Sequence, residues 1–245
     1  MTTLQSCAAL MTLAFAFGDS DEAPEIHREE TLHVSVRFPA DWKPVSAEVV
    51  AKINALVAER LPQAPVHYSA AFQPGGGESL ESTYILIQPF VKSTRGFSLP
   101  QMAKDMSEQS GKEIKQVQGA LKDICKDIRM GEVLVDEDRR QLVLRSDSEI
   151  TDGESVAGIS FGVVGREGLV WVHCYAHATD FAKHLPEFQQ IAAAVAYDPG
   201  FGYVPPGFFD RLSSRTGRSG RAALIGGAVG GVLYFLRGLM GRRNA

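Results

Sequence analysis

The sequence predicts an α+β domain, an antiparallel sheet packed by helices, followed by a C-terminal transmembrane helix. Three observations predict it. Residues 31–199 read mainly as strands joined by hairpins, with three helical stretches among them. Residues 200–221 turn to Pro, Gly, Ser and Arg, the composition of a linker. Residues 222–241 are apolar enough, and as a helix long enough, to cross a bilayer. Residues 1–30 are an apolar N-terminal segment and an acidic spacer, and residues 242–245 form a basic tail.

The domain opens on "TLHVSVRF". Leu32, Val34, Val36 and Phe38 fall on one face and His33, Ser35 and Arg37 on the other, the alternation of a half-buried strand. Pro39 and "ADWKP" end it. "SAEVVAKINALVAERL" is a helix, with Ser46 as cap, Val45 and Val50 as staple, and Val49, Ile53, Leu56 and Val57 as apolar stripe. "VHYSAAFQ" and "TYILIQPF" are strands joined by the loop "PGGGESLES". A long helix opens at Ser98, where Gln101 completes a capping box and Pro100 sits in the first turn. Its period runs through Ile114, Val117, Leu121, Ile124 and Ile128, with Gly111 and Gly119 as points of bending. Two hairpins follow, one turning at "DEDR" and one at "GREG". The last helix is "PEFQQIAAAVAYD", with Pro186 at its first helical position and Phe188, Ile191, Ala192 and Val195 as the buried stripe.

Charge is divided along the chain. Residues 1–204 hold 18 Lys and Arg against 28 Asp and Glu, a net of −10; from residue 205 onward seven arginines face one acid, a net of +6. An acidic head argues against nucleic acid as its partner. The arginines flank the apolar run, where they suit lipid phosphates.

The run itself, Ala222 to Leu236, is 15 residues without charge, about 22 Å of helix and short of a ~30 Å hydrocarbon core. Extension through Arg237 to Gly241 gives 20 residues and ~30 Å. Arg237 then lies near the end, where its stem can carry the guanidinium out to the head groups. Ala222, Gly226 and Gly230 form one small-residue row and Ala223, Gly227 and Gly231 the next. Together they make a smooth face for helix-helix packing, and so for a homo-oligomer. The bilayer is thus the first expected partner, with an unidentified protein partner for the head.

The apolar stretch Cys7–Phe17 ends at an abrupt acidic segment, and Ala14-Phe15-Ala16 suits a signal-peptide cleavage site. No Lys or Arg precedes it, unlike a secretory signal. A signal, a first strand and a second membrane contact all stay open. The chain is expected to be single-pass, with export of the head favoured; the arginines on both flanks decide nothing about its side.

Several motifs invite chemistry. "GISFG", Gly158 to Gly162, fits the nucleophile elbow with Ser160 as nucleophile, and Asp180 and His184 follow it. The elbow, however, needs a strand, a sharp turn and a helix, and here the residues run into a hairpin. A small-residue stripe under a closely packed helix is the plainer account. On the next strand Trp171, His173, Tyr175 and His177 share a face; a partly exposed sheet face covered by a helix is the plainer account, and a ligand- or partner-binding face, the candidate binding face, is the functional one. His173 and His177 lie ~13 Å apart on a strand, too far for one metal ion. Asp136, Glu137 and Asp138 read as a solvated turn rather than a cation site. "PGGGES" lacks the Lys-Ser/Thr of a phosphate loop. Cys7, Cys125 and Cys174 match no zinc or disulfide framework; at most Cys125 and Cys174 could pair. No cofactor, metal or catalytic residue is assigned.

"VSVRFPADWKP", then paired strands, a long helix opening at "FSLPQM", two hairpins and a closing "PEFQQIAAAVAYD" resemble the PsbP/DcrB-like family over about Thr31 to Asp198. The resemblance implies an antiparallel sheet sandwiched by helices, an α/β/α arrangement. It further implies a binding or accessory role, often exported and at or near a membrane. It maps no catalytic or ligand residue onto this chain, and the tail after residue 205 lies outside it. The expected function is a membrane-tethered, non-catalytic binding or accessory domain. The alternative is a serine hydrolase using Ser160.

Overall fold

In a computed structural model, residues 23–62, 66–151 and 153–207 are described. The first strand, β1 (Glu25–Glu29), lies in the stretch expected as acidic spacer. It has a single apolar residue, Ile26, and is held by backbone pairing to β2 (Val34–Phe38). A 3-10 turn (Glu30–Leu32) and His33 at φ +53 connect the two. The predicted face is buried as expected: Leu32, Val34, Val36 and Phe38 are each at 1% exposure or less.

Strand β3 (Trp42–Pro44) leads into helix α1 (Ala47–Arg60), which buries Val49, Val50, Ile53 and Val57. Ser46 precedes α1 but makes no capping bond. Strands β4 (Ala70–Pro74) and β5 (Tyr84–Val91) follow. Helix α2 (Leu99–Ala120) starts at Ser98, whose hydroxyl accepts from Gln101 N at 3.3 Å. The reciprocal half of the box is absent, because the Gln101 amide donates to Asp105 instead. The helix runs through Gly111 unbroken and ends at Ala120.

The period expected to continue through Ile128 is a coincidence of spacing. Residues 121–124 form a turn, and Ile128 belongs to strand β6 (Cys125–Met130), which pairs with β8. The two predicted hairpins form: β7 (Leu134–Asp136) with β8 (Gln141–Ile150), and β9 (Ser155–Val164) with β10 (Gly168–His177). Helix α3 (Phe181–Ala193) begins five residues before Pro186, which sits inside it. Pro186 thus lies past the first turn, where a missing donor costs nothing, and α3 runs on without the backbone bond to Ala182 O. Val195, expected on the helical stripe, opens β11 (Val195–Tyr197), which pairs with β2.

Every pairing between named strands is antiparallel. The main sheet has the order β3-β4-β5-β10-β9-β8-β6, with β7 on the outer end of β8; a second sheet has the order β1-β2-β11. Alternation along β10 sorts the two faces. Val170, Val172, Cys174 and Ala176 pack with α3 and the small sheet. Leu169, Trp171 and Tyr175 face α1 and α2. The main sheet is therefore covered on both faces, which is why β9 and β10 are buried along nearly their whole length. The small sheet on the α3 side is the departure from a sheet sandwiched by helices alone.

Residues 200–207, expected as linker, still pack on the domain: Tyr203 is buried and donates its hydroxyl to Phe97 O at 3.1 Å. Among the described residues no helix is long and apolar enough to cross a membrane. The predicted span 222–241, its glycine face, the basic tail and the N-terminal segment 1–17 lie outside the described residues.

Candidate functional site

The hairpin turn at "GREG" fixes which residues oppose one another. It sets Trp171 against Gly162, His173 against Ser160 and Tyr175 against Gly158. A Cβ at Gly162 would lie 2.8–2.9 Å from the Trp171 indole, and one at Gly158 would lie 2.8 Å from the Tyr175 ring. The glycines therefore make room for aromatic rings of the neighbouring strand. This corrects the expectation that a helix packs on them. Bare backbone on β9 lets the large rings of β10 lie down across it.

The candidate binding face is thereby a buried one. Trp171, His173 and Tyr175 are all at 0% exposure. Trp171 lies among Leu99, Met102 and Met106 of α2, and Tyr175 belongs to the cluster built on α1. Only His177, at the strand end, is partly exposed, with Nδ1 2.8 Å from the Thr179 hydroxyl. The four rings do line one strand face, but no partner reaches the first three in this arrangement.

His173 is the centre of a buried polar chain. Its Nε2 lies 2.9 Å from Gln88 Oε1 and its Nδ1 2.8 Å from Ser160 Oγ. With an amide oxygen facing it, Nε2 carries the proton; Nδ1 then accepts from the Ser160 hydroxyl. Tyr175 is hydrogen-bonded to Ser160 in turn. A neutral imidazole thus has both ring nitrogens satisfied, and burial pushes its pKa down to about 3. Tyr68 meets the ring edge-on at 6.1 Å, and Trp171 stacks at 5.8 Å on the other side. The Trp171 Nε1 donor has no partner in this core.

Ser160 and His173 at 2.8 Å are a nucleophile-base pair in distance only. Ser160 is at 1% exposure in the middle of an extended strand, not at a strand-turn-helix elbow. Asp180 and His184 precede and occupy α3, which packs on the opposite face of the sheet, so neither joins a triad with Ser160. Gln88, Tyr68 and Tyr84, which complete the cluster, were not singled out by sequence reasoning. The readable signal was the hairpin itself: G-x-S-x-G reflected about "GREG" falls on W-x-H-x-Y.

Asp136 holds the β7–β8 turn: its carboxylate accepts from Arg139 N at 3.0 Å and from the Gln141 amide at 3.3 Å. Among the described residues no group of three or more His, Cys, Asp or Glu side chains is arranged to hold a metal ion. Cys125 and Cys174 are buried and unpaired, and burial raises both thiol pKa values. Two surface grooves are lined by described residues. One, of about 390 Å³, lies beside the small sheet between Arg37 and Gln190. The other, of about 350 Å³, lies where the start of α2 meets Tyr203 and Pro206.

No family model and no curated protein matches this chain. Solved structures do match, at low identity. The solution structure of cyanobacterial PsbP (CyanoP) from Synechocystis sp. PCC 6803 is 10% identical, with a TM-score of 0.47 over 80% of this chain and 99% of that one. The crystal structure of a protein of unknown function, PA94 from Pseudomonas aeruginosa, is 10% identical, with a TM-score of 0.30 over 72% of this chain and 98% of that one. Neither likeness carries a site, an activity or a family assignment to this chain.

Proposed function

We propose that this chain is a membrane-tethered, non-catalytic binding or accessory domain. A single C-terminal helix over residues 222–241 holds it, and the face of Gly226, Gly227, Gly230 and Gly231 brings copies together. The observation that carries the non-catalytic reading is the sealing of Ser160 and His173, at 1% and 0% exposure beneath two helices. A nucleophile must meet its substrate, and its base must take up a proton during the reaction. His173 resists that proton because burial penalises the charged ring. The tether rests on the sequence pattern of 222–241 and its flanking arginines. An exported head and a protein partner accord with the resemblance to the PsbP/DcrB-like family.

The serine-hydrolase reading keeps one observation in its favour, the 2.8 Å contact between Ser160 Oγ and His173 Nδ1. One experiment separates the two readings. The native chain is treated with a serine-directed fluorophosphonate beside the Ser160→Ala variant, and neither is expected to label. Labelling of the native chain that disappears in the variant establishes the hydrolase instead. The tether is tested by carbonate-washed membrane fractionation of the full chain beside residues 1–220, the full chain being expected in the pellet and the shorter one in the supernatant. Cross-linking of the same pair reads the glycine face: equal oligomers in both would refute self-association through it.

A further inference from the structure

The domain has two unlike ends. Strand β10, with ten residues, separates them by about 33 Å. At one end lie the loops 92–98, 137–140, 165–167 and 198–207. They are bonded to one another: Thr94 N to Arg166 O, Arg166 N to Phe201 O, Val164 N to Arg140 O and the Tyr203 hydroxyl to Phe97 O. This makes one platform of four loops, and Gly207, the last described residue, belongs to it.

The charge on the platform departs from that of the head. Lys92, Arg95, Arg139, Arg140 and Arg166 stand there, all exposed, against Glu137, Asp138, Glu167, Asp198 and, from the adjoining 30–33 turn, Glu30. Of those acids, Glu167 is paired with Arg95 at 2.9 Å, and Asp198 is paired with Arg28 of β1. The loops at the other end (75–83, 121–124, 151–154 and 178–180) show Glu78, Glu81, Asp123, Glu154 and Asp180 against Lys122. The platform also carries two large exposed apolar side chains, Val91 at 60% on its border and Val204 at 66% on the 198–207 loop.

We propose that this platform docks on an anionic bilayer surface, with the acidic end turned away from it. The inference rests on the tethered reading above and adds an orientation to it. Three facts choose the occupant. Fourteen residues separate Gly207 from the predicted span, so the platform never lies more than about 50 Å from the membrane. The segment between them carries Arg211, Arg215, Arg218 and Arg221. Each cation near an anionic leaflet adds roughly 1 kcal/mol, and tethering turns that weak attraction into an intramolecular one. An acidic end facing the same lipid would be repelled.

The test uses the full chain in a Cys7→Ser background, where Cys125 and Cys174 are buried and silent to label. A fluorophore is placed at Val91→Cys or, as the far-end control, at Glu78→Cys. The chain is reconstituted in vesicles of phosphatidylcholine alone, or with phosphatidylglycerol added, and a headgroup-nitroxide lipid serves as quencher. The Val91 probe is expected to be quenched several-fold more than the Glu78 probe in the anionic vesicles. The contrast should vanish in neutral vesicles, at about 1 M salt, where screening acts over ~3 Å, and in the Lys92→Glu, Arg139→Glu variant. Equal quenching at both ends, or a contrast indifferent to lipid charge, overturns the proposal. Flotation with neutral vesicles reads the tether separately. A chain that floats but shows no contrast refutes docking alone; a chain that does not float refutes the tether and docking together.

Discussion

Acidification from pH 7 to pH 5 should weaken the fold through His173. The ring is fully enclosed, and both its nitrogens are occupied in the neutral form by Ser160 and Gln88. Burial depresses its folded-state pKa to about 3, against about 6.5 in an unfolded chain. The sign follows directly. Between those values the unfolded state binds a proton that the folded state refuses, so stability is full above about pH 6.5 and falls as pH drops toward 3. At pH 5 the unfolded imidazole is almost wholly protonated and the folded one almost wholly neutral, which removes about 2 kcal/mol relative to pH 7. Urea unfolding of the full chain in a mild detergent, followed by the fluorescence of Trp42 and Trp171, measures it. The comparison is with His173→Gln, so that the other histidines cancel. The stability gap between native chain and variant should narrow by about 2 kcal/mol over those two pH units. A gap of constant size would refute the burial and neutrality of His173.

Gly162→Ala should lower stability by about 1–3 kcal/mol in the same unfolding assay, because its methyl would meet the Trp171 indole at 2.8–2.9 Å; Gly119→Ala, with open space around it, should not. Ser160→Ala should cost about 1–3 kcal/mol by leaving a buried ring nitrogen unpaired, with no change in reactivity toward fluorophosphonate. Among the three cysteines, Cys125 and Cys174 should resist a thiol reagent in the native chain and react only after denaturation, since both are buried with raised pKa values; fast native modification of either would contradict the packing.

Local period made much of the fold readable. The β9–β10 hairpin, the β7–β8 hairpin and α1 each carry an alternation or stripe that tertiary contacts only reinforce. The elements that escaped have weak or double-meaning patterns. Strand β1 has one apolar residue and exists because β2 offers it backbone partners. Strand β6 continues the helical spacing of α2, so Ile124 and Ile128 fit either period; pairing with β8 decides it. Helix α3 hides its start because Pro186 looks like a first-turn proline. At the candidate site, Trp, His and Tyr read as amphipathic and half exposed. Their burial depends on an opposing strand with no side chains in the way, a property of pairs that single-strand alternation does not show.

That pairing has a consequence for how such a chain can change over generations. A bulkier residue at 158 or 162 is tolerable only if the ring at 175 or 171 shrinks at the same time, and a lost hydroxyl at 160 strands the imidazole at 173. Sister sequences should therefore swap these positions in couples across the hairpin, a small residue and a large one exchanged together, while either partner altered alone is weeded out.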